Sequence, residues 1–359
     1  MVWIQIRISW SKYRKSLTAT NDFFDERPEY TDSYDKERNV VIRLVAPPKK
    51  NAKAYKITGI EDVASKNDWK AWIYLAPVLI LLVVFLLYPL INTIFISFLK
   101  NYNYATGTFD GVTLENYGII FGVTKYNDVL ETNFVNYAIP NTFIIVFVTV
   151  PLSTLIALLI SVGLNKLPFF QKFFQTVFFL PYVTNAIAIG MVFSVMFDDK
   201  GIINFIFGSN IDWLGSGQAI GMIPLCIYII WHSLPFKILI LLSGLQGIDK
   251  QYYNAAKIDG ASSGKILWKI TVPLMSPQIM YILVTSFIGA FKEYTSVVGL
   301  FNGPGTLSGT KDMYTMVYYI YDNLSSHTSF AAAAAVFLFL VILAFTGLQF
   351  AVSKRRVHY

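Results

Sequence analysis

The chain has little charge and almost no cysteine. Charged residues make up 14% of its 359 residues and hydrophobic residues 55%, whereas a soluble domain is about 25% charged. The single cysteine, Cys226, excludes a disulfide framework and a cysteine metal site. The three histidines, His232, His327 and His358, are scattered, and no nucleophile or metal-ligand pattern accompanies them. These scarcities disfavour a soluble domain and a membrane enzyme, and no cofactor is expected.

Long apolar runs are the dominant feature of the sequence. Six of them are each long enough to cross a hydrocarbon core of about 30 Å at about 1.5 Å per residue. They are Ala71–Leu99, Tyr137–Leu164, Phe173–Phe197, Ala219–Leu242, Pro277–Leu300 and Ala331–Val352. The sequence therefore predicts an all-α integral membrane protein with six transmembrane helices. Pro140, Pro151, Pro181 and Pro235 lie within these runs and predict interruptions of spans two, three and four, either as helices that bend during transport or as static kinks.

The distribution of cations predicts the orientation in the membrane. With the N-terminus inside, the inward segments hold 23 Lys and Arg residues, 14 of them before residue 71, and the outward loops hold four. Cationic segments are retained on the cytoplasmic side, so both termini are expected in the cytoplasm of a bacterial cell. The positive charge is thus interpreted as a topology and anionic-lipid signal, and no nucleic-acid partner is expected.

Four segments follow from this topology. Residues 1–70 are predicted to be a mostly flexible cytoplasmic extension, because they lack apolar periodicity, and they do not resemble a cleavable signal. Residues 71–352 form the six-helix membrane domain, with a polar cytoplasmic loop at 245–276. Residues 353–359 form a basic cytoplasmic tail.

The most informative segment is that polar loop, above all Tyr252–Pro277, which lies between two apolar runs. Gly260 is predicted to end a first short helix by adopting a positive φ. Ser262 or Ser263 can cap a second helix that runs through Trp268. The pattern predicts a helix–turn–helix on the membrane surface that a soluble partner contacts; an ordinary amphipathic interfacial loop is the alternative.

Nine residues of this loop resemble the EAA signature of ABC-importer permeases. They are Tyr253, Asn254, Ala255, Ala256, Asp259, Gly260, Ala261, Trp268 and Pro273. The motifs LPY at 180–182, GLQ at 244–246 and NGPG at 302–305 extend the resemblance over most of Ala71–Val352, and they resemble the sugar-type, maltose-like branch. Asn254 departs from the family, which usually has Glu there. In the family, that Glu is expected to pair with a cation on a partner ATPase. An exposed charge pair contributes only about 0–1 kcal/mol, so its loss need not prevent the loop from docking on the ATPase.

The resemblance implies a type I importer fold and several partners. A cytoplasmic ABC ATPase dimer would receive the loop, and a second homologous permease would complete the pore, since six helices enclose only half of one. An extracellular or lipid-anchored binding protein would deliver a sugar or oligosaccharide, and membrane lipid would surround the helices. The segment Gly260–Lys265 lacks the spacing of a phosphate-binding loop, so this chain is expected to be a transport subunit and not an enzyme.

Polar and aromatic side chains within the runs are the candidate substrate pathway. They are Tyr182, Asn185, Trp231, His232, Lys292 and Glu293. Counted along each run, Tyr182, His232 and Lys292 lie about 14, 15 and 22 Å from the inner face. By resemblance, these three stand at or near substrate-contacting positions of maltose-type permeases. Charges within a span cost roughly 2.5–3.5 kcal/mol on insertion scales, so their positions indicate function.

Other interpretations stay open for several of these residues. His232 is equally consistent with helix packing, and Glu293 with a bond to the second permease. Lys237, closer to the inner face, is expected to reach the membrane surface and is given no role. The same fold carrying glycerol phosphate, a polyol or another solute is an alternative, because Lys292 suits an anionic group. A further alternative is an ion-coupled secondary transporter, in which Lys292 and Glu293 would relay the ion. The sequence shows no internal repeat, which argues against this alternative.

Overall fold

The structure, a computed structural model, describes residues 30–35, 40–45 and 72–356. Its contacts divide the chain into two units, Met1–Leu86 and Leu87–Tyr359. In the first unit, strand β1 (Tyr30–Asp35) pairs antiparallel with β2 (Val40–Val45), a hairpin that the sequence pattern does not predict. The rest of residues 1–70, for which flexibility is predicted, lies outside the described residues. The end of the basic tail, residues 357–359, also lies outside them.

Helices account for most of the described chain after residue 71. In chain order they are α1 (Trp72–Ser97), α2 (Glu115–Ile120), α3 (Phe134–Asn165), α4 (Pro168–Val183), α5 (Ala186–Met196), α6 (Ile202–Phe207), α7 (Gln218–Gln246), α8 (Lys250–Ile258), α9 (Ser263–Leu274), α10 (Ser276–Phe291), α11 (Thr295–Phe301), α12 (Met316–Asn323) and α13 (Thr328–Arg356). Two short strands, β3 (Leu99–Lys100) and β4 (Gly111–Val112), pair after α1.

Among these described helices, α1, α3, α7 and α13 are each long and apolar enough to cross a membrane. The α9–α10 pair is a fifth candidate, bent by 70° at its break. The run predicted as the third span contains α4 and α5 in succession. The all-α membrane fold is therefore confirmed, and the predicted six spans are compatible with it.

The third and fifth predicted spans are not continuous helices. Thr184 and Asn185 separate α4 from α5, and residues 292–294 separate α10 from α11. The two second halves pack backbone to backbone: a Cβ added to Gly190 of α5 would lie 2.7 Å from the Cα of Gly299 in α11. Hydropathy along the sequence does not reveal such breaks, because the interrupting residues are flanked by apolar ones.

Prolines do not interrupt the second and fourth spans as predicted. Helix α3 continues through Pro151, and α7 continues through Pro224 and Pro235. A proline removes one backbone N–H donor. Within a membrane bundle, neighbouring helices and hydroxyl side chains can satisfy the carbonyl group that is left without its helical hydrogen bond. Pro181 lies two residues before the end of α4, so of these prolines Pro181 is the one beside a helix break.

The prediction that Lys237 reaches the membrane surface is also wrong. Its side chain is 3% exposed, and its Nζ donates a hydrogen bond to Oγ of Ser153 on α3. Nearby, Ser161 of α3 donates to the carbonyl oxygen of Ile238 on α7 at 3.1 Å. The lysine side chain points into the α3–α7 interface rather than along the helix axis, so it cannot extend to water.

Candidate functional site

The polar loop after α7 is a helix–turn–helix with a defined stop signal. Asp249 caps α8 by accepting a hydrogen bond from the Gln251 N–H at 2.9 Å. At the other end, Gly260 has φ +68°, and the Ala261 N–H donates to the Ala256 carbonyl at 2.9 Å. This pattern is a Schellman-type helix end, which favours glycine. The predicted positive φ at Gly260 is confirmed.

The second helix of the loop begins and runs as the sequence predicts. The Ser262 hydroxyl accepts a hydrogen bond from the Lys265 N–H, and α9 continues through Trp268 to one residue beyond Pro273. The Tyr253 hydroxyl lies 3.4 Å from that of Thr271, which ties α8 to α9. Capping and this cross-contact give the loop a definite shape.

The outer surface of the loop exposes large apolar side chains. Ile258 is 87% exposed and Trp268 57% exposed. Exposed neighbours from the EAA-like motif are Asn254, Ala255, Asp259 and Gly260, whereas Ala256 is buried and Tyr253 and Ala261 are half-buried. Exposed isoleucine and tryptophan side chains, one on each helix of a short hairpin, are typical of contact with a partner or with lipid.

A cavity of about 280 Å³ lies at the elbow where this loop meets the membrane helices. Its walls come from the end of α7, including Ser243, Gly244 and Gly247, and from Leu274 and Gln278 on either side of the 70° bend. The elbow is therefore not tightly filled. The bend between α9 and α10 thus borders an open space at the surface of the bundle.

The candidate pathway residues on α4 and α7 are aromatic and attached to neighbouring helices. The Tyr182 ring stacks on Phe236 of α7, with centroids 5.7 Å apart. Trp231 of α7 contacts the Phe193 ring of α5 at 5.3 Å. Tyr182 is 44% exposed and Trp231 40% exposed, so both rings are only partly buried.

Asn185 and Glu293 both lie at the breaks and bond to the backbone of the following helix. The Asn185 side chain accepts from the N–H groups of Ile187 and Ala188 in the first turn of α5. Glu293 accepts from the Ser296 N–H of α11 at 2.9 Å. An anionic group at a helix N-terminus is favoured by the orphan N–H groups and by the helix dipole. Their first role is thus to begin these two half-helices.

His232 and Lys292 differ in their surroundings. Among the described residues, the Nε2 atom of His232 is buried without a hydrogen-bond partner, and the ring lies 5.9 Å from Tyr228. Tyr228, which the sequence analysis does not single out, donates its hydroxyl to the Ala186 carbonyl at the start of α5. Lys292 is exposed and ends α10. The breaks therefore bring α5, α7 and α11 together around His232, Tyr228 and Glu293.

In the described part of the chain, no group of three or more His, Cys, Asp or Glu side chains is placed to hold a metal ion. The site consists of a capped polar loop at one end of the bundle and two helix breaks within it. This arrangement fits a transport subunit.

The family model of the binding-protein-dependent transport system inner membrane component matches residues 150–358. That is more than half of the chain, which therefore belongs to this family of inner-membrane, multi-pass permeases. The predicted family is confirmed, and the ion-coupled secondary transporter is set aside.

Named relatives cover most of the chain. The lactose transport system permease LacF of Rhizobium radiobacter is 29% identical over 80% of this chain and 95% of its own length. The arabinooligosaccharides permease AraP of Bacillus subtilis is 28% identical over 81% and 90%. The sn-glycerol-3-phosphate permease UgpA of Agrobacterium fabrum is 26% identical over 84% and 100%.

A solved structure supports the fold independently. A chain of a bacterial ABC transporter that imports the acidic polysaccharide alginate superimposes with a TM-score of 0.67. The match covers 82% of this chain and 98% of that one at 18% sequence identity. At this low identity the likeness shows the fold alone.

Proposed function

We propose that this chain is one of two permease subunits of an ATP-driven importer for a sugar or oligosaccharide. Residues 71–352 contribute half of the pathway, and a second homologous permease contributes the other half. A binding protein outside the cell delivers the substrate, and both termini lie in the cytoplasm. A dimer of ABC ATPases supplies the energy by closing against the loop at residues 245–276.

The observation that carries this proposal is the exposed apolar pair on the capped loop. Ile258 and Trp268 are 87% and 57% exposed, although each costs free energy in contact with water. A groove in a partner would bury both side chains, and the fixed turn at Gly260 sets their spacing. Asn254 is exposed beside them and can donate and accept hydrogen bonds in place of an ion pair.

A carbohydrate substrate is favoured by the aromatic groups beside the helix breaks. Sugar rings have an apolar face, which stacks on Tyr or Trp, and a rim of hydroxyl groups, which needs hydrogen-bonding side chains. Tyr182 and Trp231 supply partly exposed rings, and beside Trp231 His232 holds a buried ring nitrogen that bonds to none of the described residues and would need to be uncovered to reach a sugar. Two of the relatives named above carry the names of sugar carriers.

The turn at Gly260 offers a direct test of the coupling role. Gly260→Val puts a β-branched residue at φ +68°, a conformation that is strongly disfavoured for it. We expect the ATPase stimulation by the loaded binding protein to fall at least about five-fold, the factor that 1 kcal/mol gives. The measurement uses the reconstituted complex with its ATPase subunits.

Gly264→Ala is the matched control for this experiment. Gly264 lies four residues further on, and a Cβ there meets no atom within 4 Å. Stimulation should stay near the original level in that variant. Full stimulation in Gly260→Val, or an equal loss in both variants, contradicts the coupling role of the turn.

Glycerol phosphate is the second candidate substrate, and Lys292 is the observation that favours it. This cation ends α10 at the break and is exposed, so it is placed to pair with a phosphate. A thermal-shift screen of the cognate binding protein separates the candidates. Stabilisation by lactose or arabino-oligosaccharides supports a sugar, and stabilisation by sn-glycerol 3-phosphate alone supports the anion.

A further inference from the structure

Three tyrosines form a stack next to the break in the fifth span. The Tyr294 and Tyr321 rings lie face to face, with centroids 4.6 Å apart and planes 17° apart. Tyr318 adds a third ring, 5.1 Å from Tyr294. We call these three residues the tyrosine stack. Tyr321 is 58% exposed, so the stack reaches the surface.

Hydrogen bonds fix the stack to the break that carries Lys292 and Glu293. The Thr315 hydroxyl donates to the Glu293 carbonyl oxygen at 2.6 Å, and it accepts from the Tyr318 N–H at 3.1 Å. Tyr294 follows Glu293 directly in the chain. Helix α12 and the break are therefore held together, and the stack continues from the candidate pathway toward the loop that precedes α13.

The stack also has a polar rim. Lys311 and Asp322 form an ion pair at 3.3 Å, with side chains 45% and 40% exposed. The Tyr314 hydroxyl donates to Asp322. Burial, together with the neighbouring Tyr294 and Asp322, raises the pKa of Tyr318.

We propose that the tyrosine stack, with Asp322 and Lys311 at its edge, is a second carbohydrate-binding site, which holds one ring of an oligosaccharide before it enters the membrane. The inference rests on the proposed function and orientation, which place this loop outside the cell. The exposed ring of Tyr321, held by its stacked neighbours beside paired polar groups, matches the apolar face and the hydroxyl rim of a sugar ring. A single tyrosine of the membrane–water interface needs no stacked partners and no adjoining ion pair.

The test measures sugar contact with the complete permease–ATPase complex in lipid nanodiscs. Saturation-transfer NMR uses lactose and arabinotriose as probes, and sn-glycerol 3-phosphate, which has no ring, as a reference. For at least one sugar we expect transfer to the ring C–H protons. That transfer should fall at least three-fold in Tyr321→Ala and be retained in Tyr321→Phe, which keeps the aromatic face.

Tyr104→Ala is the matched control, because Tyr104 is a 75% exposed tyrosine remote from the stack in sequence. It should leave the sugar signal unchanged. Thermal unfolding of each variant verifies that the exposed substitutions leave the fold intact.

Three outcomes overturn the carbohydrate site: no signal from either sugar, unchanged signal in Tyr321→Ala, or the same loss in Tyr104→Ala. An unchanged signal assigns the stack to the membrane–water interface. Stimulation of the ATPase by the loaded binding protein is measured on the same samples. If it persists while the sugar signal does not depend on Tyr321, the importer function stands and only this site fails.

Discussion

At the residue scale, Lys237 shows how a charged side chain is accommodated inside the bundle. It is 3% exposed, and its hydrogen-bond partner among the described residues is the neutral hydroxyl of Ser153. Ser153 itself donates to backbone carbonyls of α3. A buried cation without a carboxylate partner retains most of its desolvation cost. The lysine is therefore expected to reduce stability rather than to increase it.

Removing this charge should stabilise the protein. We expect Lys237→Met, which keeps the length of the side chain, to raise the unfolding temperature by about 2–4 °C, the shift that about 1 kcal/mol gives in domains of 150–250 residues. Ser153→Ala should act in the opposite direction, because it leaves a buried ammonium without its partner. Thermal unfolding in detergent measures both. A lower unfolding temperature for Lys237→Met shows instead that the ammonium contributes net stability.

The distance along the chain between interacting residues explains which parts of the site the sequence predicts. Gly260 and Ser262 act through backbone conformation and local capping, so a stretch of a few residues contains the whole signal. The depth of Asn185 and Glu293 predicts that they are pathway residues, and that role stays a prediction. The sequence does not predict their capping bonds, because a cap is recognised only once the position of the helix break is known. Tyr228 gave no sequence signal, since its partner Ala186 is 42 residues away.

At the element scale, the two half-helices α5 and α11 depend on contact between glycines. A Cβ at Gly190 would lie 2.7 Å from the Gly299 Cα and 2.8 Å from its carbonyl carbon. Backbone atoms cannot move aside as a flexible side chain can. The apolar runs predicted the existence of these segments, but the contact joins residues more than 100 positions apart, and sequence periodicity does not report it.

Gly190→Ala should therefore weaken the packing of these half-helices. One methyl group inserted into a closely packed interface costs about 1–3 kcal/mol, so we expect lower expression and a lower unfolding temperature. Gly289→Ala is the comparison, because a Cβ at Gly289 in α10 meets nothing within 4 Å. Size-exclusion chromatography and thermal unfolding report the difference. If the two variants have the same unfolding temperature and elution profile, the close contact between α5 and α11 does not contribute to stability.

At the scale of the whole molecule, the orientation in the membrane links both ends of the proposed mechanism. The loop at residues 245–276 must face the ATPases, and the loop between α11 and α13 must face the binding protein. The charge bias of 23 inward against four outward cations predicts this arrangement. The helices alone do not distinguish it from its inverse, because a bundle has the same internal packing in either orientation.

Single-cysteine labelling decides the orientation. Replacing the one native cysteine by Cys226→Ser gives a background for two exposed reporters, Ser263→Cys at the start of α9 and Ser308→Cys in the loop after α11. With a membrane-impermeant maleimide on spheroplasts, we expect labelling of the Ser308→Cys variant at once and of the Ser263→Cys variant only after the membrane is opened. Both sites are exposed, so accessibility within the protein does not bias the comparison. The reverse pattern would place the capped loop outside the cell, where no ATPase could close against it, and the coupling proposal would fail together with the outer sugar site.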